Sequence, residues 1–282
     1  MGNVISNSRI YRILVGGFQT QILEAGDRNL PSVLMVHDGA FGTDADLCWA
    51  GVIENLSTNF NIIAPDLLGW GGSAKVNFFD RSPYDFRLEH LKSICDVLML
   101  SEPIFVIGSS FGAEIAVRGT AESKWGWNVS KCIAISGTGG RMFRVPGGIE
   151  QLSQYEPSLE AAKHLTSLLV SNNEGMEKHF QKRFENSMIP GHWEALSSMR
   201  VRNPSRVFVS PEDSWPEPLR TCPKPILFIE GDADPLLESG WSVKMAAIAK
   251  MGSNVVVQGG HEPNLDQPKK IAELCLNYFR EI

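Results

Sequence analysis

The chain has 282 residues, a length that fits one large α/β domain or a core domain carrying an insertion. Hydrophobic residues make up 43% and charged residues 21%, which are ordinary values for a folded globular protein and exclude a disordered chain. The net charge of -6 argues against nucleic acid or an anionic membrane as the main partner.

Targeting and cysteine patterns point to an intracellular protein. The 5 cysteines are scattered without a Cys-x-x-Cys pair, which favours reduced, mostly buried thiols over disulfides or a zinc site. The N-terminus lacks a secretion signal and the apolar runs are too short to cross a bilayer, so we expect a cytoplasmic protein. Residues 1–6 match the N-myristoylation pattern at Gly2, but chance matches are frequent, and we expect no membrane partner.

Predicted strands and helices alternate along most of the chain. The predicted strands are residues 9–15, 19–24, 32–37, 61–65, 104–107, 131–135, 225–230 and 254–258. The predicted helices are residues 49–56, 86–100, 111–123, 241–251 and 269–280. The later strands are short apolar runs bounded by Gly, Pro and Asp, as in parallel strands buried on both faces. This alternation predicts a doubly wound α/β fold.

The alternation breaks between residues 139 and 221. That stretch is richer in charge, shows helical spacing at Met176, Phe180 and Phe184, and has no clear strand. We therefore predict a helical cap at residues 139–221, inserted after the sixth strand and closing over the carboxyl edge of the sheet. Residues 1–138 and 222–282 then form the core domain.

The sequence from Phe105 to Gly112 predicts a nucleophilic serine. An apolar strand ends in Gly108-x-Ser110-x-Gly112 and passes straight into a helical run. Such a strand-to-helix turn strains the serine backbone and presents its hydroxyl, while the two glycines allow a close approach of strand and helix. The alternative is that Ser110 is an ordinary turn residue, but such a residue would not need a strand before it, a helix after it and a glycine on each side.

A serine hydroxyl needs a base, and the base needs an acid that holds its tautomer. Two aspartates, Asp232 and Asp234, follow the strand at 225–230, and His261 follows the next strand. We prefer Asp234 as the acid because of its Gly-x-x-Asp spacing, while Asp232 caps the turn. Since all these groups follow parallel strands, they meet at one edge of the sheet.

An oxyanion needs two N–H donors. One is predicted at Phe111, the residue after the nucleophile. The other is predicted at Gly39, since a glycine lets the backbone turn its N–H inward. His37, at the strand end, is interpreted as bracing this loop, and the helical residues His90, His164 and His179 are interpreted as structural or surface histidines.

These motifs resemble the α/β-hydrolase superfamily over essentially the whole chain. Besides Ser110, Asp234 and His261, the matching stretches are 36–39 and 64–73. Within it, the spacing from His37 to Trp49 and the stretch 191–196 are similar to the meta-cleavage product hydrolases, which cleave a carbon–carbon bond in vinylogous diketo acids. The resemblance implies an eight-stranded, mostly parallel sheet, a helical lid, no metal and no organic cofactor.

The chain departs from that family around the substrate. Ser109 and Cys48 stand where members usually carry asparagine. His192 stands at the position of the arginine that grips the substrate carboxylate, and Glu262 at that of a tryptophan. A histidine cannot reproduce the fixed, always charged fork of arginine. Ser109, His192, Trp193, Ala40 and Glu262 are the predicted substrate-binding residues.

The sequence therefore predicts a cofactor-independent serine hydrolase acting on a small molecule. Its substrate would be a medium, largely apolar carbonyl compound, cleaved at a carbon–carbon bond or a carboxylic ester. A serine at position 110 disfavours dehalogenase and epoxide hydrolase activity, which need a carboxylate nucleophile. A receptor on the same fold and a non-hydrolytic lyase or cyclase stay open as alternatives. The sequence also permits a homodimer.

Overall fold

A computed structural model of the chain describes residues 8–100, 103–198 and 213–281. Its single sheet has eight strands: β1 Ser8–Val15, β2 Phe18–Ala25, β3 Ser32–Val36, β4 Asn61–Pro65, β5 Ile104–Ser109, β6 Val129–Ile135, β7 Ile226–Gly231 and β8 Gly252–Val257. Each predicted strand overlaps one of these.

The helices of the core are α1 Ala45–Leu56, α2 Asp85–Val97, α3 Phe111–Ala121, α9 Trp241–Ile248, α10 Pro263–Asp266 and α11 Pro268–Arg280, with a short 3-10 helix at Ser123–Trp125. Between β6 and β7 lie α4 Gly148–Leu152, α5 Leu159–Ser167, α6 Glu177–Ser187, α7 His192–Ser197 and α8 Glu217–Thr221. In the part of the chain that is described, no helix has the length and apolar character needed to cross a membrane.

The strand order is β1-β2-β4-β3-β5-β6-β7-β8. Strand β2 is antiparallel to both β1 and β4, whereas every other pair of neighbours is parallel. This confirms the predicted α/β-hydrolase fold, with its eight-stranded, mostly parallel sheet flanked by helices. Because the parallel strands all point the same way, the loops after β3, β4, β5, β7 and β8 share one edge.

The sheet is covered on both faces by apolar side chains. One layer joins it to α1 and α11 through residues such as Trp49, Ile53 and Ile271, all fully buried. The other layer joins it to α2, α3 and α9 through residues such as Leu91 and Trp241. Burial on both faces explains why the parallel strands are continuous apolar runs. All 5 cysteines are buried in this structure, and none forms a disulfide.

We call residues 139–221 the inserted helical segment and propose that they form a cap; residues 199–212 of it lie outside the described residues. Helix α6 makes hydrogen bonds to the backbone of the loop after β3. Arg183 Nη1 donates to the Phe41 carbonyl at 2.9 Å, and Asn186 Nδ2 donates to the Gly42 carbonyl at 3.1 Å. The segment therefore packs on the edge at which the parallel strands end.

Candidate active site

Ser110 stands alone between β5 and α3, with φ of 52° and ψ of -118°. This left-handed φ is strained for a residue with a side chain, and such strain concentrates at functional sites. The Ser110 N–H donates to the Ile135 carbonyl at 2.8 Å, which ties the turn to β6. A Cβ on Gly112 would overlap the Val36 carbonyl, so only glycine allows α3 to approach the sheet this closely.

His261 and Asp234 complete a hydrogen-bonded chain with Ser110. The distance between His261 Nε2 and Ser110 Oγ is 2.8 Å, and His261 Nδ1 lies 2.9 and 3.0 Å from the two carboxylate oxygens of Asp234. Both side chains are buried, while Ser110 keeps partial exposure. An ionised carboxylate only accepts, so it holds the His261 proton on Nδ1 and leaves Nε2 free to accept from the serine hydroxyl.

The two aspartates after β7 have different surroundings. The Leu236 N–H donates to Asp234 Oδ1 at 2.8 Å, and this bond orients the carboxylate toward His261. Asp232 is exposed and accepts the Gly259 N–H at 3.0 Å. The structure thus brings Asp234 to the histidine and leaves Asp232 bracing the neighbouring loop.

The two predicted oxyanion donors lie beside one another. No side chain caps the start of α3, so the first N–H groups of this helix, beginning with that of Phe111, point toward the serine end. A Cβ built on Gly39 would stand 2.8 Å from the Cβ of Phe111, which shows how closely the two backbones approach. The Ala40 N–H, in contrast, is bound by Asp38 Oδ1 at 2.8 Å, which leaves Gly39 as the better placed donor.

His37 is fully buried and braces the loop that carries Gly39. Its Nδ1 donates to the Asp38 carbonyl at 2.6 Å, and its Nε2 accepts the Leu67 N–H at 2.9 Å. Burial lowers the pKa of this imidazole, and both ring nitrogens are already used. His37 is therefore a fixed neutral strut between the loops after β3 and β4.

His192 is placed differently from the sequence-based expectation. Its Nε2 accepts the Gly42 N–H at 2.9 Å, its Nδ1 donates to the Gly69 carbonyl at 3.1 Å, and the ring is fully buried. Burial lowers its pKa to about 4, with the nearby Lys75 charge adding to the shift. A neutral ring with both nitrogens engaged offers nothing to a substrate carboxylate. This geometry argues against the predicted substrate-binding role, and His192 instead fastens α7 to the core.

The other predicted substrate-binding residues are mostly shielded. Ser109 is fully buried, its hydroxyl donating to Asn264 Oδ1 at 3.2 Å, and Ala40 is 7% exposed. Trp193 is 42% exposed, and its Nε1 donates to the Tyr155 carbonyl at 3.4 Å. Ser109 therefore joins the turn that carries Ser110 to α10, and Trp193 lies at the surface of α7.

Glu262 is fully buried, and neither of its carboxylate oxygens accepts a hydrogen bond from any group in the described ranges. Its neighbours include the buried side chains of Asp38 and Arg183. Burial, followed by the Asp38 charge, raises the pKa of Glu262 well above its ordinary value. Glu262, which the sequence predicts to bind substrate, thus belongs to a buried polar cluster.

Sequence reasoning missed the aromatic surroundings of Phe111. Its ring centroid lies 6.1 Å from that of Trp70 and 5.5 Å from that of Tyr84, and the Arg87 guanidinium lies 5.4 Å from it. Burial lowers the pKa of Arg87 to about 9. The spacing of Arg87 on α2 between Phe86 and Leu88 gives no sequence signal, because arginine is normally an exposed residue.

The described ranges, 8–100, 103–198 and 213–281, contain no group of three or more His, Cys, Asp or Glu side chains arranged to hold a metal ion. The side chains that meet at the sheet edge are thus a hydroxyl, an imidazole and a carboxylate. Together with two neighbouring backbone N–H groups, this set suits proton transfer and attack on a carbonyl carbon.

The model of the Alpha/beta hydrolase family matches residues 33–274, and the chain belongs to this family. A curated relative is 2-hydroxymuconate semialdehyde hydrolase from Pseudomonas sp. (strain CF600), with 24% identity over 95% of this chain and 93% of that protein. A second is 2-hydroxy-6-oxo-6-(2'-aminophenyl)hexa-2,4-dienoic acid hydrolase from Metapseudomonas resinovorans, with 23% identity over 94% of this chain and 88% of that protein.

Solved structures of the same fold include a meta-cleavage product hydrolase from Pseudomonas fluorescens IP01. It superposes with a TM-score of 0.83 at 24% identity, covering 95% of this chain and 97% of that one. A carboxylesterase from Bacillus subtilis superposes with a TM-score of 0.79 at 17% identity, covering 97% of this chain and 92% of that one. The chain thus resembles the meta-cleavage product hydrolases in sequence, and its fold is common to carbon–carbon hydrolases and esterases.

Proposed function

We propose that this protein is a cofactor-independent serine hydrolase that uses Ser110, His261 and Asp234 on a carbonyl substrate. The observation that carries this proposal is the 2.8 Å distance between Ser110 Oγ and His261 Nε2, in line with the Asp234 carboxylate. His261 takes the serine proton as Oγ attacks the carbonyl carbon. Asp234 stabilises the imidazolium that forms, without itself being protonated.

Two backbone N–H groups, those of Gly39 and Phe111, hold the oxyanion of the tetrahedral intermediate. Each such donor contributes about 10²–10³ in rate because it is already aimed where negative charge develops. His261 then returns its proton to the leaving group, and water, activated by the same imidazole, releases the acyl group. No step in this sequence requires a metal or an organic cofactor.

The substrate class is inferred from the side chains around Phe111, the residue after Ser110. The rings of Phe111, Trp70 and Tyr84 make this end of the sheet apolar. His192, at the position of the family's carboxylate-gripping arginine, is neutral and bound to backbone. We therefore propose a medium, largely apolar carbonyl compound whose binding does not depend on a carboxylate at that position. The bond that breaks is a carboxylic ester or a carbon–carbon bond of the kind that relatives hydrolyse.

The test compares two substrates on purified protein: a p-nitrophenyl acyl ester and 2-hydroxymuconate semialdehyde. Each is assayed with the native chain and with Ser110→Ala, whose loss of the nucleophile is expected to lower kcat by about 10⁴–10⁶-fold. A fluorophosphonate probe adds a direct readout, since mass spectrometry should find it on the peptide that contains Ser110. Circular dichroism checks that the variant is folded.

The outcomes separate the alternatives. Turnover of the ester alone assigns a serine esterase, and cleavage of 2-hydroxymuconate semialdehyde assigns a carbon–carbon hydrolase. Turnover of neither substrate, with a rise in thermal midpoint when either is added, contradicts the proposal in favour of a receptor on this fold. Product formation without incorporation of labelled water contradicts it in favour of a lyase or cyclase.

A further inference from the structure

The carboxyl group of Glu262 has surroundings that an ionised carboxylate cannot tolerate. It is fully buried, and within the described chain no N–H or O–H group donates to either of its oxygens. An ionised carboxylate only accepts hydrogen bonds, and burying one without donors costs several kcal/mol or more. The protonated acid avoids this cost and gains one O–H donor.

The neighbouring carboxylate of Asp38 is prepared to accept such a donor. It is 1% exposed, and each of its oxygens already receives one hydrogen bond, from the Ala40 N–H at 2.8 Å and from the Thr43 hydroxyl at 2.6 Å. Asp38 is the acceptor in both bonds, so its oxygens are already placed as hydrogen-bond acceptors. Two carboxyl groups in one buried site cannot both ionise, so one proton is kept between them.

The two acids are sequence neighbours of two proposed catalytic groups. Asp38 directly precedes Gly39, the proposed oxyanion donor, and Glu262 directly follows His261, the proposed base. We propose that Glu262 stays a carboxylic acid and donates its proton to Asp38, so that one shared proton holds the His261 loop against the Gly39 loop. Glu262 and Asp38 are then positioning residues, an inference that rests on the proposed hydrolase function.

Other charged or titratable groups lie around Glu262 and Asp38. Arg183 on α6 and Asp266 on α10 both act on Glu262, the first favouring ionisation and the second opposing it. The thiol of Cys48 on α1 lies near both acids, and burial, followed by the Asp38 charge, raises its pKa well above the ordinary value, so it stays neutral. His179 on α6 lies beside Arg183, and burial lowers its pKa to about 3, so it too is neutral. Arg183 therefore supplies a positive charge beside Glu262.

The first test detects the proton itself and does not depend on any enzymatic activity. The infrared spectrum of the native protein at neutral pH should contain the carbonyl band of a protonated carboxylic acid that Glu262→Gln lacks. Glu273→Gln, on the exposed face of α11, is the matched control and should retain the band. The buried Asp66, with a pKa raised to about 7, contributes equally to all three spectra and cancels in the difference. Identical spectra for the native chain and Glu262→Gln would overturn the proposal.

The second test measures the pH dependence of unfolding. The pKa of Glu262 is raised in the folded state above its ordinary 4.5, so the folded protein binds more protons than the unfolded chain above that pH. Stability from this group should therefore fall as pH rises through that window, and Glu262→Gln should remove this part of the slope. A slope unchanged by the substitution would contradict the shared proton.

The third test measures positioning with p-nitrophenyl acetate, followed at the isosbestic wavelength of p-nitrophenol. Glu262→Gln keeps a donor toward Asp38 and should stay within about 3-fold of the native kcat. The native kcat should decline at alkaline pH, where Glu262 loses its proton, and the kcat of Glu262→Gln should not. Glu262→Leu removes the donor and should lower kcat on the order of 10- to 100-fold with little change in KM, because the base and the oxyanion donors shift apart. Equal kcat values for the Gln and Leu variants would overturn the positioning role. If the native chain hydrolyses neither an ester nor 2-hydroxymuconate semialdehyde, the proposed function fails, and the infrared and unfolding tests still decide whether Glu262 is protonated.

Discussion

His261 on the sheet edge and His192 in the inserted helical segment make similar hydrogen bonds, but we propose different functions for them. Each is buried, each carries its proton on Nδ1, and each accepts a hydrogen bond at Nε2. The partners of His261 are a carboxylate and a hydroxyl, whereas those of His192 are the backbone carbonyl of Gly69 and the N–H of Gly42. A hydroxyl can give up its proton and a carboxylate can stabilise an imidazolium, but a peptide group does neither. In the proposed mechanism, the hydrogen-bond partners of each imidazole therefore decide whether it acts as a base or only joins two segments.

The largest expected effect comes from removing the charge behind His261. Asp234→Asn should lower kcat by about 10⁴-fold, because the amide stabilises neither the reactive tautomer nor the imidazolium. Asp232→Asn, two residues away and exposed, is the matched control and should stay near the native rate. Steady-state kinetics with the better substrate measures both, and comparable losses in the two variants would contradict the assignment of Asp234.

A substitution in the oxyanion loop should have the next largest effect. The added Cβ in Gly39→Ala would stand 2.8 Å from the Cβ of Phe111, so the two donor backbones must separate. We expect kcat to fall by about 10²–10³-fold, as when one oxyanion donor is lost. The thermal midpoint distinguishes this from unfolding. A native kcat in the folded variant would show that Gly39 is not the donor.

Replacing His192 should lower the free energy of unfolding. His192→Leu leaves the Gly42 N–H and the Gly69 carbonyl without their partners, and each buried unpaired group costs about 1–3 kcal/mol. We expect the free energy of unfolding in urea to fall by about 2–4 kcal/mol in total. Trp193→Leu, on the exposed neighbour, should cost less than about 1 kcal/mol. If His192→Leu is as stable as Trp193→Leu, the fastening role is wrong.

The smallest effect is the response of this histidine to acid. The folded state lowers the pKa of His192 from 6.5 to about 4, so in this range the unfolded chain binds the extra proton. Stability from His192 is therefore present above pH 6.5 and is lost as the pH falls toward 4. Native unfolding midpoints at a series of pH values, set against those of His192→Gln, should differ by one proton taken up on unfolding.

The same contrast separates what the sequence can predict from what it cannot. Ser110, Asp234 and His261 each follow a buried strand. Because parallel strands end at the same edge of a sheet, local patterns were enough to predict that the three side chains meet. The eight strands and their mostly parallel arrangement follow from the same patterns. Gly42 and Gly69 lie 150 and 123 residues before His192, and Asp38 lies about 220 residues before Glu262. No spacing rule connects such distant positions, because their contact depends on how the inserted helical segment and the β8 loop settle on the edge.

The burial of all 5 cysteines has a practical consequence for following that segment. Thiol reagents reach a cysteine only where it is accessible and ionised, and burial raises the pKa of Cys132 and Cys275 to about 12. The native cysteines of the folded chain should therefore not react with a thiol-specific label. One cysteine placed at Met188, which is 57% exposed just after α6, would carry a fluorophore alone. Such a dye would report on the surroundings of α6 without removal of any native thiol.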